Sequence, residues 1–225
     1  MIIALTGSSG SIGKELVPFF KGLGHDVIKI SSSSQPNGVD KFSYFELQNN
    51  LISIEVDLFI HLASLNADLN EKDIEQEVGL TEQVLSALPA LKCRRLIFFS
   101  TSKVYGDNDL DANIFNEKSF LNPQCSYGKA KKLCEELIIS KLKSFEINAI
   151  ILRLPPVLNH SGRGNLSKLI NIARKKKFMF SFAQGEKNKR SFISSNNIET
   201  VFKYILDNLS IFEKNETYNL SDDGD

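Results

Sequence analysis

The chain opens with MIIALTGSSGSIGKEL, residues 1–16. Ile2–Thr6 is apolar almost throughout and runs directly into Gly7, Gly10 and Gly13. A helix-like pattern of apolar residues follows from Ser11 to Leu23. Such a spacing answers three physical demands. Gly7 permits a tight turn off a buried strand, Gly10 leaves space for a phosphate to approach the backbone, and Gly13 lets the helix lie close to the strand. A helix starting at that turn presents free N–H groups and a positive dipole end, which suit the pyrophosphate of a dinucleotide. The bare glycine pattern also fits a strand–turn–helix that binds nothing. The strand before it and the helix after it supply the context that dinucleotide binding requires.

The same alternation continues along the chain. Apolar runs at Asp26–Ile30, Asp57–Ala63, Arg95–Thr101 and Ile147–Leu154 read as strands, and Asn66–Leu88 and Tyr127–Ser144 read as helices. Strands that are apolar throughout, alternating with helices, predict an α/β protein with a Rossmann-type doubly wound parallel sheet. Pro18 removes one donor inside the first helix, so a kink is expected there. The character changes after Leu154, where Pro155-Pro156 is followed by the loop-like HSGRGN. Helices at Asn165–Lys177 and Asn196–Asn208 and short strands at Ser191–Ile193 and Thr217–Leu220 are expected beyond it. The expected organisation is a dinucleotide-binding domain over residues 1–154 and a small, truncated substrate lobe over 155–225, interleaved with it.

Bulk properties narrow the function. The chain has 225 residues, 42% hydrophobic and 24% charged, enough for one substantial core. Lys plus Arg and Asp plus Glu both total 27, so the basic excess of a nucleic-acid-binding protein is absent. The N-terminus lacks the charged region of a signal peptide, and no apolar run approaches the ~18 residues of a membrane span. The three cysteines have no CxxC spacing and read as reduced thiols of a cytoplasmic protein; the three scattered histidines offer no metal site. His61 reads as a packed strand residue.

Tyr127 and Lys131 lie four apart and therefore share a helix face. A phenol ionises near 10, too high for a base at neutral pH, and a neighbouring ammonium lowers that value. YxxxK alone is common on exposed helices, and its place after the strand FFSTSKVYG (Phe98–Gly106) is what gives it weight.

The TGxxGxxG opening resembles the short-chain dehydrogenase/reductase superfamily. DLFIHLAS (Asp57–Ser64), FFSTSKVYG, NPQCSYGKAK (Asn122–Lys131) and LRLPPVL (Leu152–Leu158) follow in the order of its extended members. GRGNLSKLI, KRSFISSNNI and ETYNLSDDG resemble stretches of the NAD-dependent epimerase/dehydratase family, in its sugar-nucleotide 4-epimerase and 4-ketoreductase branch. The resemblance implies an NAD(P)-dependent enzyme acting on a nucleotide-activated sugar, with 4-epimerisation the first expectation and 4-ketoreduction the second. A non-catalytic dinucleotide-binding regulator is the alternative from another class. Tyr127 is implied as acid/base, Lys131 as its activator and a ribose ligand, and Thr101 as a hydrogen-bond partner of the reacting oxygen. Gly7, Gly10, Ser11, Ile12, Gly13, Ser31, Ser32, Leu62, Ala63 and Ser64 are implied around the cofactor, and Ser102, Asn165 and Arg190 around the substrate. A homodimer through a helix bundle is the assembly it allows.

The chain departs from this pattern at four places. Ser31 stands where NAD-preferring members carry an acidic residue, so NADP is not repelled and is slightly favoured over NAD. Ser102-Lys103 replaces the Asp-Glu of 4,6-dehydratases, which disfavours dehydration. Glu77 and Gly79 fall where many members read asparagine-valine-x-glycine, which puts a proton-relay water in doubt. Members also continue for several elements beyond the YNLSDDG stretch.

Overall fold

A computed structural model describes residues 1–32, 40–49, 51, 54–65, 68–106, 114–158 and 191–222. The expected helix at Asn165–Lys177 lies outside the described residues. Nine strands are described: β1 (Ile2–Thr6), β2 (Asp26–Ser31), β3 (Lys41–Ser43), β4 (Leu58–His61), β5 (Arg95–Thr101), β6 (Asn148–Leu154), β7 (Val157–Leu158), β8 (Ile193–Ser194) and β9 (Glu216–Asn219). The helices are α1 (Ser11–Gly22), α2 (Tyr44–Gln48), α3 (Ile74–Ala87), α4 (Ser126–Leu142) and α5 (Ser195–Asp207).

Seven strands form one sheet in the order β3-β2-β1-β4-β5-β6-β9, and every pairing in it is parallel. The strand order reverses direction between β1 and β4, so a crevice opens beyond their carboxyl ends. This is the Rossmann-type doubly wound sheet that the apolar strands predict.

Strand alternation explains why the sheet needs cover on both faces. Ala4, Phe59, Leu96, Phe98, Ala149 and Ile151 join one buried cluster with Leu47, Val84, Leu85 and Ile138 of α2, α3 and α4. Their chain neighbours Ile3, Leu5, Leu58, Ile60, Ile97, Phe99, Ile150 and Leu152 join another, with Leu16 and Phe20 of α1 and Phe202 of α5. Phe20 meets Phe202 edge-on at 5.1 Å, and Phe99 stacks on Phe202 at 6.1 Å. The segment after residue 154 therefore contributes both a core aromatic and an edge strand to the main sheet. β7 and β8 form a separate parallel pair.

Two local details differ from the sequence expectation. β3 and α2 were not expected, although Ser43 and Glu46 form a capping box: the Glu46 N–H donates to Ser43 Oγ at 3.2 Å and the Ser43 N–H to Glu46 Oε2 at 2.7 Å. The second long helix starts at Ile74, after a 3₁₀ turn over Glu71–Asp73 in which the Asn70 N–H donates to Asp73 Oδ2. α1 continues through Pro18 without a break.

A buried polar cluster joins β5, α4, β6 and β9. Arg153 Nε and Nη2 donate to the two carboxylate oxygens of Glu135 at 3.1 and 2.7 Å. Ser100 Oγ donates to the same carboxylate. Arg153 Nη1 donates to Tyr105 Oη at 2.9 Å, and Tyr105 Oη donates to Asn219 Oδ1 at 2.7 Å. The Asn219 N–H donates to Glu117 Oε1 at 2.8 Å, and Tyr105 stacks on Phe115 at 4.7 Å. Forked, charge-assisted bonds of this kind fix geometry as well as charge.

Candidate active site

The glycine turn has the shape its sequence implies. Gly7 has φ +70°, and a Cβ there would lie 2.7 Å from Ala63 N and 2.8 Å from Leu62 C. Gly13 lies against the carbonyl oxygen of Gly7, and a Cβ would also lie 2.7 Å from Ser8 Cα. Gly10 differs. It is exposed, and a Cβ there would meet only Gly7 O, at 3.1 Å. Gly7 and Gly13 are thus required by the protein's own packing, while Gly10 borders open space in front of the α1 N-terminus. No side chain caps that N-terminus, where Ser11 and Ile12 begin the helix. On the segment that follows β4, Ser64 Oγ is buried without a hydrogen-bond partner among the described residues. An uncapped helix end, an open glycine and an orphaned buried hydroxyl fit a dinucleotide pyrophosphate and its neighbouring ribose.

Gly10→Val is therefore expected to fold, because φ is −69° and the added Cβ would meet only Gly7 O, at 3.1 Å. It should abolish dinucleotide binding in a calorimetric titration with NAD and NADP. Unchanged binding would remove the glycine turn from the site. Gly13→Val is the contrasting control, expected to compromise folding itself.

A continuous chain of contacts leads from this turn to the tyrosine–lysine pair. The N–H groups of Leu62 and Ala63 donate to Thr6 Oγ1 at 3.1 and 3.0 Å. His61 accepts from Thr6 Oγ1 through Nδ1 at 2.8 Å and, with its proton on Nε2, donates to Thr81 Oγ1 at 3.2 Å. Burial, with a smaller push from the Lys131 charge, lowers the His61 pKa to about 3, so the ring is neutral and structural. The Leu65 N–H donates to Glu77 Oε2 at 2.8 Å. Glu77 Oε1 lies 2.9 Å from Lys131 Nζ, an ion pair approached off the line of a hydrogen bond. Both side chains are almost wholly buried, at 2% exposure for Lys131 and 0% for Glu77.

α4 is seated by close backbone contact. A Cβ on Gly128 would lie 2.6 Å from Lys103 O, so this residue has to be glycine for the helix to approach the 3₁₀ turn over Ser102–Tyr105. The turn begins after Thr101, whose Oγ1 accepts the Lys103 N–H at 3.3 Å. Cys125 starts the helix, with its Sγ accepting the Gly128 N–H at 3.4 Å. Tyr127 and Lys131 are thereby held beside the turn that follows β5, with Lys131 Nζ 5.8 Å and Lys103 Nζ 5.6 Å from the centre of the Tyr127 ring, and Thr101 ends β5 at the start of that turn.

The electrostatics correct one expectation. The Tyr127 phenol is held above its ordinary value, not below it. Burial is the largest cause; the Lys131 charge opposes it, and the Glu77 carboxylate adds to it. Burial also opposes the charge on Lys131, but Tyr127 and Glu77 more than offset that effect, and the ammonium is held above its ordinary value. Lys131 has a partner that the spacing of Tyr127 and Lys131 did not reveal.

Ser31 ends β2 in register with Ser43, and Ser31 and Ser32 are exposed at the rim of the sheet. Ser102, half-buried, follows Thr101 directly. Asn165 and Arg190 lie outside the described residues. Sequence reasoning missed the Arg153–Glu135 cluster and the bridging place of Glu77. The signal was present for both: Lys131, Cys134, Glu135 and Ile138 recur at helical spacing on one buried face, and Glu77 shares its face with Thr81 and Val84.

The model of the NAD-dependent epimerase/dehydratase family matches residues 3–221. A dTDP-D-glucose 4,6-dehydratase of Dictyostelium discoideum is 29% identical, over 91% of this chain and 55% of its own length. A UDP-glucose 4-epimerase of Vibrio cholerae is 26% identical, over 91% of this chain and 66% of its own. This chain thus spans between about half and two thirds of these relatives. Among solved structures, a UDP-N-acetylglucosamine 4-epimerase from Bacillus cereus superposes with a TM-score of 0.80 at 20% identity, covering 99% of this chain and 78% of that one. A UDP-glucuronic acid 4-epimerase from Bacillus cereus, solved with NAD, gives 0.78 at 23% identity, covering 100% and 78%. At these identities the structural likeness establishes the fold. No helix among the described residues is long and apolar enough to cross a membrane.

Proposed function

The chain belongs to the NAD-dependent epimerase/dehydratase family, and from that premise we propose that it oxidises or reduces C4 of a nucleotide-activated sugar. The observation that supports this reading most is the contact chain from Gly7 through Leu62–Leu65 and Glu77 to Lys131. It joins the glycine turn at the α1 N-terminus to the tyrosine–lysine pair. Gly7, Gly10, Ser11, Ile12, Gly13, Leu62, Ala63 and Ser64 would hold the dinucleotide. A bound nicotinamide supplies a hydride acceptor or donor, and in its oxidised form a positive charge.

The chain's own residues move the proton. Tyr127 exchanges it with the C4 oxygen, and Thr101 hydrogen-bonds the same oxygen. Lys131 sets the charge beside Tyr127 and would hold the nicotinamide ribose. Ser102, Asn165 and Arg190 are the proposed substrate contacts, with the arginine suited to diphosphate oxygens.

Epimerisation is the first reading, following the Vibrio cholerae relative and the Bacillus cereus neighbours. Ketoreduction is the second: it would use the same Thr101, Tyr127, Lys131 and nicotinamide. Dehydration, named for the Dictyostelium relative, is disfavoured by Ser102-Lys103. The reading extends to a cytoplasmic enzyme and to a homodimer through α4, whose Leu133 and Ile139 stay exposed.

The test is product analysis with UDP-glucose, UDP-galactose and 4-keto sugar nucleotides. An epimerase interconverts C4 epimers without net consumption of dinucleotide. A reductase consumes one reduced dinucleotide per turnover. Dinucleotide binding with no turnover of any nucleotide sugar would overturn the enzymatic reading in favour of a regulator.

Cofactor choice is tested separately. The exposed hydroxyl of Ser31 replaces a carboxylate at the end of β2, which supports acceptance of NADP. Ser31→Asp is expected to weaken NADP far more than NAD, through repulsion of the 2′-phosphate. Equal loss for both, read by calorimetry, would place Ser31 away from the adenosine ribose.

A further inference from the structure

Glu77 stands where the resemblance puts an asparagine, and nothing in the tyrosine–lysine mechanism calls for a carboxylate there. Its position is nevertheless specific. One oxygen takes the Leu65 N–H at 2.8 Å, on the loop that walls the crevice. The other meets Lys131 Nζ at 2.9 Å. The same ammonium lies 4.8 Å from the Phe98 ring centre and 5.8 Å from that of Tyr127. One cation, nearly closed off from water together with its carboxylate, therefore also faces a phenol. An anion in contact with a cation cancels much of the field that the cation exerts on a third group, and low local polarity enlarges the effect.

We propose that Glu77 is a positioning residue: it ties Lys131 to the 62–65 loop as its counter-ion and thereby keeps Tyr127 in its proton-bearing form. This rests on the acid/base role proposed for Tyr127 and assigns that site a resting state competent to donate a proton. It also gives the departure from asparagine a chemical consequence. A neutral side chain would leave the full charge of Lys131 acting on the phenol.

The other titratable groups around the cluster do not substitute for Glu77. His61, on β4, is neutral. Cys134, on α4, has its thiol pushed up by burial. Cys125 is exposed at the start of α4. Lys103, on the 3₁₀ turn, is an exposed cation whose charge acts in the opposite direction.

Glu77→Gln keeps the size of the side chain and an oxygen for the Leu65 N–H while removing the charge. The probe is the ultraviolet tyrosinate titration of the free protein, with Tyr127→Phe subtracted to assign the signal among five tyrosines. Tyr127 is expected to ionise at lower pH in Glu77→Gln than in the wild type. In the loaded enzyme, the alkaline limb of the pH–rate profile for reduction of a ketone should move the same way. A purely structural Glu77 would change the unfolding midpoint and leave the tyrosinate curve in place, which would overturn the proposal. Glu77→Asn, shorter and also neutral, should shift the curve in the same direction and serves if the glutamine variant does not fold. The tyrosinate readout needs neither substrate nor cofactor. Absence of turnover would therefore count against the proposed reaction and leave the role of Glu77 to be decided by the titration.

Discussion

Tyr127→Phe is expected to lower turnover of a nucleotide sugar by about 10²- to 10⁴-fold while dinucleotide binding persists. The substitution removes the exchangeable proton and keeps the ring that Lys103 and Lys131 face. Two companion variants separate the roles. Lys131→Met should lower turnover and weaken the dinucleotide, and it leaves Glu77 buried without its cation, so its stability should fall as well. Thr101→Val should cost about 1.5–3 kcal/mol of transition-state stabilisation, one hydrogen bond to a group developing charge. Single-turnover rates and calorimetric affinities measured together distinguish the three. Retained turnover in Tyr127→Phe would overturn the acid/base assignment.

The largest effect on stability is expected at Arg153. Its guanidinium holds both oxygens of Glu135, and the two side chains are 7% and 3% exposed. Arg153→Met leaves a buried carboxylate with the Ser100 hydroxyl as its remaining described partner, and should destabilise the fold by about 3–5 kcal/mol. The loss comes from the stranded charge, since a buried pair gains little net energy over an apolar replacement. Arg153→Met combined with Glu135→Leu should therefore recover much of it. Urea unfolding of the wild type, each single variant and the double variant reads this directly. A double variant no more stable than Arg153→Met would show that the cluster acts through its bonds to Tyr105 and Glu117, not through the ion pair. Either result bears on the site, because Glu135 lies one helical turn beyond Lys131 on α4.

Much of the fold was legible because its signals are local. β1, the glycine turn and α1 occupy consecutive residues, and their conformations follow from burial, glycine freedom and helical periodicity within about one element's length. Strands β5 and β6 and helix α4 were readable for the same reason, and so was the shared face of Tyr127 and Lys131. β3 and α2 were missed because they are only 3 and 5 residues long, too short for periodicity to register. Their capping box, Ser43 to Glu46, was the one local trace they left.

The sequence by itself determined the long strands and helices of the core, that the sheet is parallel and covered on both faces, and that Tyr127 and Lys131 point the same way. The tertiary structure decided whose charge each side chain meets. Glu77 and Lys131 are 54 positions apart in the chain (131 less 77), on different helices, and neither shows in its local pattern that it ends beside the other. Arg153 reads as a charged residue inside an apolar strand until Glu135 is packed against it. The direction of the Tyr127 shift belongs to the same class. Spacing along a helix revealed the cation, but the balance of burial, cation and distant anion exists only once α3, α4 and the 62–65 loop enclose the phenol together.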